Sequence, residues 1–316
     1  MNAAVVNVLG QSPVFQEFAE PSVEENEVLV HVCAAGLHHV VKSRAAGKHY
    51  SSAGKVPLIP GVDGVGKLED GRRVYFGMMR QPWGTMAELA PAPRSVCIPL
   101  PDGIDDVTAA AIANPGMSAW VSLKERARLQ AGETALILGA TGVAGQLAIQ
   151  SARLQGAKRI VAVGRNVDAL KGADVDAIIG LNQPEEAVRE AFIAESATGI
   201  DVVIDYVWGR PAELLLEGIA RGYNENATHS VRYVQVGSIA GENITLLSAI
   251  LRSVDITLLG SGFGSASMEK ILAAIPTLFD LAAKGSLTID VEKIPLSEVE
   301  SSWNRSDKGK RIVFTI

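Results

Sequence analysis

Across the first hundred residues the apolar positions fall in short runs, AAVVNVL, EVLVHVCAAGL and RRVYFG, rich in valine and bounded by Gly, Pro and Asn. Alternating or continuous apolar runs of this length predict β-strands rather than helices. Pro57, Pro60, Pro82, Pro91, Pro93, Pro99 and Pro101 crowd the same region, half of the 14 prolines in the chain. Such density breaks helices and favours turns between strands. The pattern predicts an antiparallel barrel-like or folded-sheet unit.

The pattern changes near Val107. VTAAAIANPGMSAWVSLKERARL has a helix-forming composition with a Pro-Gly interruption, and its second half is amphipathic around Trp120, Leu123, Ala127 and Leu129. TALILGA is a continuous apolar run suited to a central parallel strand, and TGVAGQLAIQSARLQG predicts a helix ending at Gly156. RIVAVG predicts the next strand, DALKGADVDAIIG a helix start and a short strand, and DVVIDYV another strand. PAELLLEGIARG predicts a helix, followed by strands at VRYVQVG and DITLLGS. Strands alternating with helices at this spacing specify a doubly wound parallel sheet. After Met268 come one helix, MEKILAAIPTLFDLAAKG, the segment LTIDVEKIPL and a terminal strand RIVFTI.

Composition narrows the function classes. The 316 residues are 47% hydrophobic and 20% charged, which fits a globular chain of two domains. Acidic residues outnumber basic ones by 35 to 29, and no basic run exceeds two residues, so a nucleic-acid partner is not expected. Cys33 and Cys97 form no C-x-x-C spacing and predict neither a disulfide framework nor a cysteine zinc site. The first residues lack a basic stretch and a long apolar core, so no signal peptide is expected. The most apolar window, Val107 to Leu123, is broken by Asn114-Pro115-Gly116, so no membrane span is expected. A reduced, soluble, cytoplasmic protein is the expectation.

Candidate chemistry begins at Gly139-Ala140-Thr141-Gly142-Val143-Ala144-Gly145, directly after a predicted strand and opening a predicted helix. Small residues there let the backbone approach a pyrophosphate, whose charge meets free N–H groups at the helix N-terminus. The second strand ends in Gly164-Arg165-Asn166, with Arg165 lying 20 residues after Gly145 and no acid before Asp168. A 2′-hydroxyl prefers a carboxylate at this place, whereas a 2′-phosphate needs a cation, so NADP(H) is the expected cofactor.

The ordered set EVLVHVCAAGL, VPLIPGVDGVGKLEDGRRVYFG, GTMAELAPAPRSVCIPLPDGI, NPGMSAWVSL, AGETALILGATGVAG and GKRIVFTI resembles the medium-chain dehydrogenase/reductase superfamily, in particular its zinc-free quinone oxidoreductase branch. That resemblance covers nearly the whole chain. It implies an α/β fold: a GroES-like β-rich catalytic domain over residues 1–112, completed by 265–316, and a Rossmann NADP-binding domain over 113–264. It also implies a homodimer formed by pairing the last Rossmann strand, DITLLGS, across a two-fold axis.

Departures from the superfamily bear on chemistry. Zinc-dependent members carry a Cys in the segment matching Gly36-Leu37-His38, a Gly-His-Glu where Gly61-Val62-Asp63 stands, and a third ligand near Asn114. Of these positions only His38 is a good ligand, and zinc needs about four. The quinone reductase branch reads Gly-Val-Asn-Pro-Val-Asp and then Arg-x-Gly-x-Tyr. Here His38 takes the place of the Asn, Val41 replaces the acid, and His49 aligns with the Tyr, with Tyr50 one place beyond. His38, Tyr50 and His49 are therefore the candidates to give a proton or hydrogen bond to a carbonyl.

Further cofactor contacts are expected at strand ends. Ser118 matches a position that hydrogen-bonds the cofactor in the superfamily. Val207, Gly237, Ser238, Ser261 and Phe263 follow predicted strands on the side where such sheets bind ligands. Lys308 and Lys310 are candidate phosphate contacts or a solvated basic turn, and Trp83 and Trp208 find no role. Four of the 5 histidines fall between His31 and His49, but His31 alternates on a strand and adjacent His38 and His39 should diverge, so no metal site is expected. The combined expectation is a zinc-independent, NADPH-dependent reductase of a small quinone or α,β-unsaturated carbonyl. The alternative is a non-catalytic NADPH-binding redox sensor or partner-binding protein, which would bind NADPH and consume none.

Overall fold

A computed structural model describes residues 1–52, 54–223, 230–306 and 309–316. Lys308 lies outside the described residues. The chain divides into two compact units, one of Met1–Pro115 with Ile275–Ile316 and one of Gly116–Ala274.

The first unit opens with β1 (Asn2–Val5) and β2 (Val14–Glu17), paired antiparallel. Then come β3 (Glu27–Gly36), the short helix α1 (His39–Ala45), β4 (Asp63–Lys67), β5 (Arg73–Gly77), β6 (Leu89–Pro93) and β7 (Ile98–Pro99). Helix α2 (Asp106–Val121) does not break at the Pro-Gly pair but runs through Pro115, and a π-helical turn, Ser122–Ala127, follows it. Proline forfeits one helical hydrogen bond. Burial of Ala109 to Ala113, none more than 1% exposed, holds the helix together across that loss.

The second unit contains β8 (Thr134–Leu138), α3 (Val143–Leu154), β9 (Arg159–Gly164), β10 (Ala177–Gly180), α4 (Glu185–Thr198), β11 (Val202–Asp205), α5 (Gly209–Gly222), β12 (Val231–Gln235), α6 (Ile250–Ser253) and β13 (Ile256–Gly260). Among the described residues the strands form one six-stranded sheet in the order β10-β9-β8-β11-β12-β13, every pair parallel. With β8 as the first strand this is the 3-2-1-4-5-6 order of a dinucleotide-binding fold, and the order reverses between β8 and β11. Its core is built from Leu136, Val161, Phe192, Val203, Leu215 and Tyr233 with their neighbours.

Two local expectations fail there. The helix expected from Asp168 is a single 3-10 turn, Val167–Leu170, because Gly172 at φ +86° cannot extend it. Helix α4 is absent from the elements the hydrophobic pattern predicts, since only Val188 and Phe192 are buried along it. Those two stand one turn apart against α5, and Glu185 and Glu186 favour the positive N-terminal end.

The chain then closes with α7 (Met268–Ala283), β14 (Val291–Pro295), α8 (Val299–Ser302) and β15 (Arg311–Thr315). The last strands complete the first unit's larger sheet, ordered β14-β15-β3-β4-β5-β7 with β6 also on β3. Cys33 and Cys97 are both free, and no helix among the described residues is long and apolar enough to cross a membrane.

Candidate active site

Parallel pairing sets the carboxyl ends of β8, β9, β11, β12 and β13 along one edge of the second unit's sheet. The glycine segment leaves β8 there. Gly139 adopts φ +94°, and the N–H groups of Gly139 and Ala140 both donate to the Val163 carbonyl at 2.9 Å. That pairing turns the chain sharply into α3. Gly145 is forced by space: a Cβ on it would stand 2.2 Å from the Gly139 carbonyl oxygen. Ala140, Val143 and Gly145 are buried, whereas Thr141, Gly142 and Ala144 reach the surface. Gly142 caps α3 without a side-chain hydrogen bond, so the helix's first N–H groups remain available to an anion.

Gly164 is buried at the end of β9, and Arg165 and Asn166 project into solvent beside it. Among the described residues no ion pair engages Arg165. Asp205, fully buried at the end of β11, accepts hydrogen bonds from the Val207 and Trp208 N–H groups at 2.7 and 2.9 Å and from the Tyr233 hydroxyl at 2.7 Å. Burial pushes its carboxyl up, and these bonds offset part of that rise. Gly237 donates to the Asp205 carbonyl, and Ser238 is exposed after it. Ser118 lies beside the buried Tyr206 hydroxyl, whose acidity burial lowers. Ser261 accepts a hydrogen bond from Ser122 at 2.9 Å, while Phe263 leaves its ring 41% exposed.

The three candidate proton donors stand in the first unit, in two environments. His38, at the end of β3, is 2% exposed, with Nε2 3.3 Å from Asp63 Oδ1 but without the alignment of a hydrogen bond. Tyr75 donates to the other Asp63 oxygen at 2.9 Å, and the ring of His38 packs over Gly36. Burial lowers the pKa of His38, and the positive charge of Arg311 lowers it further, against the opposing pull of Asp63. The folded protein thus holds His38 neutral, while the unfolded chain takes up a proton below about pH 6.5. Stability is expected to fall with acidification from that point, by at most about 1.4 kcal/mol per pH unit, until the folded pKa is passed. Urea unfolding between about pH 7 and pH 5 should show a flatter profile for His38→Gln than for the parent.

His49 and Tyr50 follow α1. Their rings stack with centroids 4.1 Å apart, and His49 Nδ1 meets Ser51 Oγ at 2.7 Å. Tyr50 is 75% exposed, and burial together with the Arg44 charge lowers the pKa of His49. Arg44 and Ser52 line a shallow, open cleft inside this unit. Its apolar walls include Val41, Leu58, Ile59, Pro60, Met79 and Trp83. Gly61 and Val62 also line it, whereas Asp63, next in the chain, and His38 are not among its lining residues. Sequence reasoning missed Arg44, Met79 and Trp83, which are dispersed along the chain and carry no motif; an arginine among apolar neighbours in α1 is the only hint.

No family model matches the chain. A probable NADPH-dependent quinone reductase of Emericella nidulans is 27% identical over 99% of this chain and 99% of its own length. An alcohol dehydrogenase of Geobacillus stearothermophilus is 28% identical over 100% of this chain and 99% of its own. Among solved structures, the quinone oxidoreductase of Thermus thermophilus, determined also in complex with NADPH, is 28% identical, with a TM-score of 0.81 over 100% of both chains. The chain has the medium-chain dehydrogenase/reductase fold. Its similarity extends over the whole length to quinone reductases of that superfamily.

Two groups that this superfamily employs can be tested against the residues present. Zinc needs about four N, S or O donors. Among the described residues no three His, Cys, Asp or Glu side chains come together, and His38 with Asp63 is only a pair. That donor set does not fit the ion. A dinucleotide fits: Gly145 lets α3 pack directly on the Gly139–Ala140 backbone, the first N–H groups of α3 take no side-chain cap, and among the described residues no ion pair engages Arg165 one strand away.

Proposed function

We propose that the protein is a cytoplasmic, zinc-independent, NADPH-dependent oxidoreductase of quinones or α,β-unsaturated carbonyls. The β8–α3 glycine turn carries the proposal, together with whole-length similarity to a probable NADPH-dependent quinone reductase. The N–H groups at the start of α3 would hold the pyrophosphate, Arg165 the 2′-phosphate, and Val207, Gly237, Ser238, Ser261 and Phe263 the remaining surface. NADPH supplies a hydride when bound.

The chain's own residues bind and orient the acceptor. The cleft of the first unit would offer its apolar walls to a flat ring system. A conjugated acceptor spreads its developing charge, so hydrogen-bond donors suffice in place of a Lewis acid. Tyr50 and His49 carry such donors but do not line the cleft, so they would have to turn toward it, and His38 would have to leave its place over Gly36. Among the described residues strand β13 pairs only with β12, and it exposes Leu258, which supports a homodimer through this edge.

Loss of NADPH absorbance with naphthoquinone, phenanthrenequinone, an alkenal and a simple ketone tests the activity, with NADH run in parallel. Turnover confined to the quinones or the alkenal is expected. Silence across the panel with tight NADPH binding would favour the sensor alternative. Arg165→Ala is expected to weaken NADPH by about 10-fold or more and leave NADH nearly unchanged. Equal losses for both would remove the phosphate role. Light scattering at micromolar concentration should return a dimer mass, and a monomer would count against the β13 contact.

A further inference from the structure

The acceptor cleft is not neutral. Arg44 is the only charged side chain lining it among the described residues. Its guanidinium is half-buried and makes no ion pair among them, and burial alone lowers its pKa. A guanidinium withdrawn from water without a counter-ion is costly, and such groups normally stand opposite a carboxylate. The indole N–H of Trp83, in the same cleft, is buried and donates to no described residue. Trp83 is held in place by an edge-on contact with Phe18 at 5.8 Å. A cation without an ion pair and an N–H without a described partner thus belong to two residues of one cleft, whose lining is otherwise apolar except for Ser52 and Gln81. Asp63, next in the chain to the lining residue Val62, is engaged with Tyr75 and His38.

We propose that the cleft selects an anionic acceptor: a flat conjugated ring bearing an ionised oxygen, with Arg44 taking the charge and the Trp83 N–H an adjacent oxygen. The proposal rests on the cleft being the acceptor site. Arg44 is then a specificity-determining residue, because a neutral quinone of the same size offers carbonyl oxygens but leaves the Arg44 charge without a counter-ion. A buried polar group left without a partner is what makes such discrimination strong.

The test compares 2-hydroxy-1,4-naphthoquinone, ionised at neutral pH, with 2-methyl-1,4-naphthoquinone, which has the same rings and no charge. Calorimetric titration of each is run with and without NADP⁺. The parent protein is expected to bind the anion at least about 10-fold more tightly, as a charge-assisted hydrogen bond allows. Arg44→Gln should remove that preference and leave the neutral quinone's affinity within about twofold, and Trp83→Phe should weaken the anion more than the neutral quinone. Arg44→Lys, which keeps the charge but not the planar fork, should retain part of the preference and serves as the folding control. Equal affinities in the parent, equal losses of both ligands in Arg44→Gln, or binding of neither ligand would each overturn the proposal. Anion preference without NADPH consumption by any acceptor would sink the catalytic function while leaving the anion site standing. Turnover without preference would do the reverse.

Discussion

Asp205→Ala is expected to destabilise the nucleotide-binding unit by roughly 3 to 5 kcal/mol, since it orphans three donors at about 1 to 3 kcal/mol each and removes a carboxylate that itself resists burial. The donors are the Tyr233 hydroxyl and the N–H groups of Val207 and Trp208. Trp208 makes the loss worse, because its backbone sits at φ 55° and ψ −157°, a region that costs a bulky residue energy unless its surroundings impose it. Asp205 accepts from that N–H and so helps to impose the conformation. The same contact aims the β11–α5 connection at the edge where β8 gives rise to the glycine turn. Chemical denaturation should show the loss, and weakened NADPH binding should accompany it in whatever fraction remains folded. Asp205→Asn keeps one oxygen for the two N–H groups and should lose only about 1 kcal/mol. A loss under about 1 kcal/mol for the alanine variant would show that water replaces the carboxylate.

Gly145→Val is expected to abolish measurable NADPH binding, a loss of at least about 100-fold. The atoms that a Cβ would meet are the Gly139 carbonyl oxygen at 2.2 Å and Ala140 Cα at 2.6 Å, both backbone, so no side chain can swing aside. Relief requires the turn to open, which pulls Gly139 and Ala140 off the Val163 carbonyl. A drop of several degrees in melting temperature should accompany the loss. Gly142→Ala separates binding from folding. Its Cβ would find only the Gly139 oxygen at 3.5 Å, an ordinary contact, and its φ of −81° suits any residue. That variant should melt like the parent yet bind NADPH more weakly, because the new methyl would stand where a pyrophosphate held by the proposed turn would approach. Unchanged NADPH affinity in Gly142→Ala would place the pyrophosphate elsewhere.

Both variants lie in the part of the chain most legible as sequence. TALIL, RIVAVG and DVVIDYV are unbroken apolar runs because parallel strands are covered on both faces, and their order with the glycine turn specifies the sheet. Arg165 is legible for the same reason, as the first side chain beyond a strand end. Where local signals were weak or conflicting, expectation and structure part. Pro115 looked like a helix stop and is instead carried inside α2 by the burial of neighbouring alanines. Helix α4 went unseen because two buried side chains leave almost no amphipathic stripe.

The sequence by itself determined the doubly wound sheet, the β-rich unit, and the turn suited to a dinucleotide, since these follow from periodicity and from residues adjacent in the chain. Only the tertiary structure decided what the polar residues do. It buried His38 against Asp63 and left Tyr50 and His49 outside, though the three are near neighbours in sequence. It made Asp205 a strut for a strained connection rather than a simple strand end. It also brought Arg44 and Trp83 to one cleft across 39 positions of chain. Desolvation and pairing are properties of the folded environment, so a side chain's charge and partners cannot be read from its place in the chain.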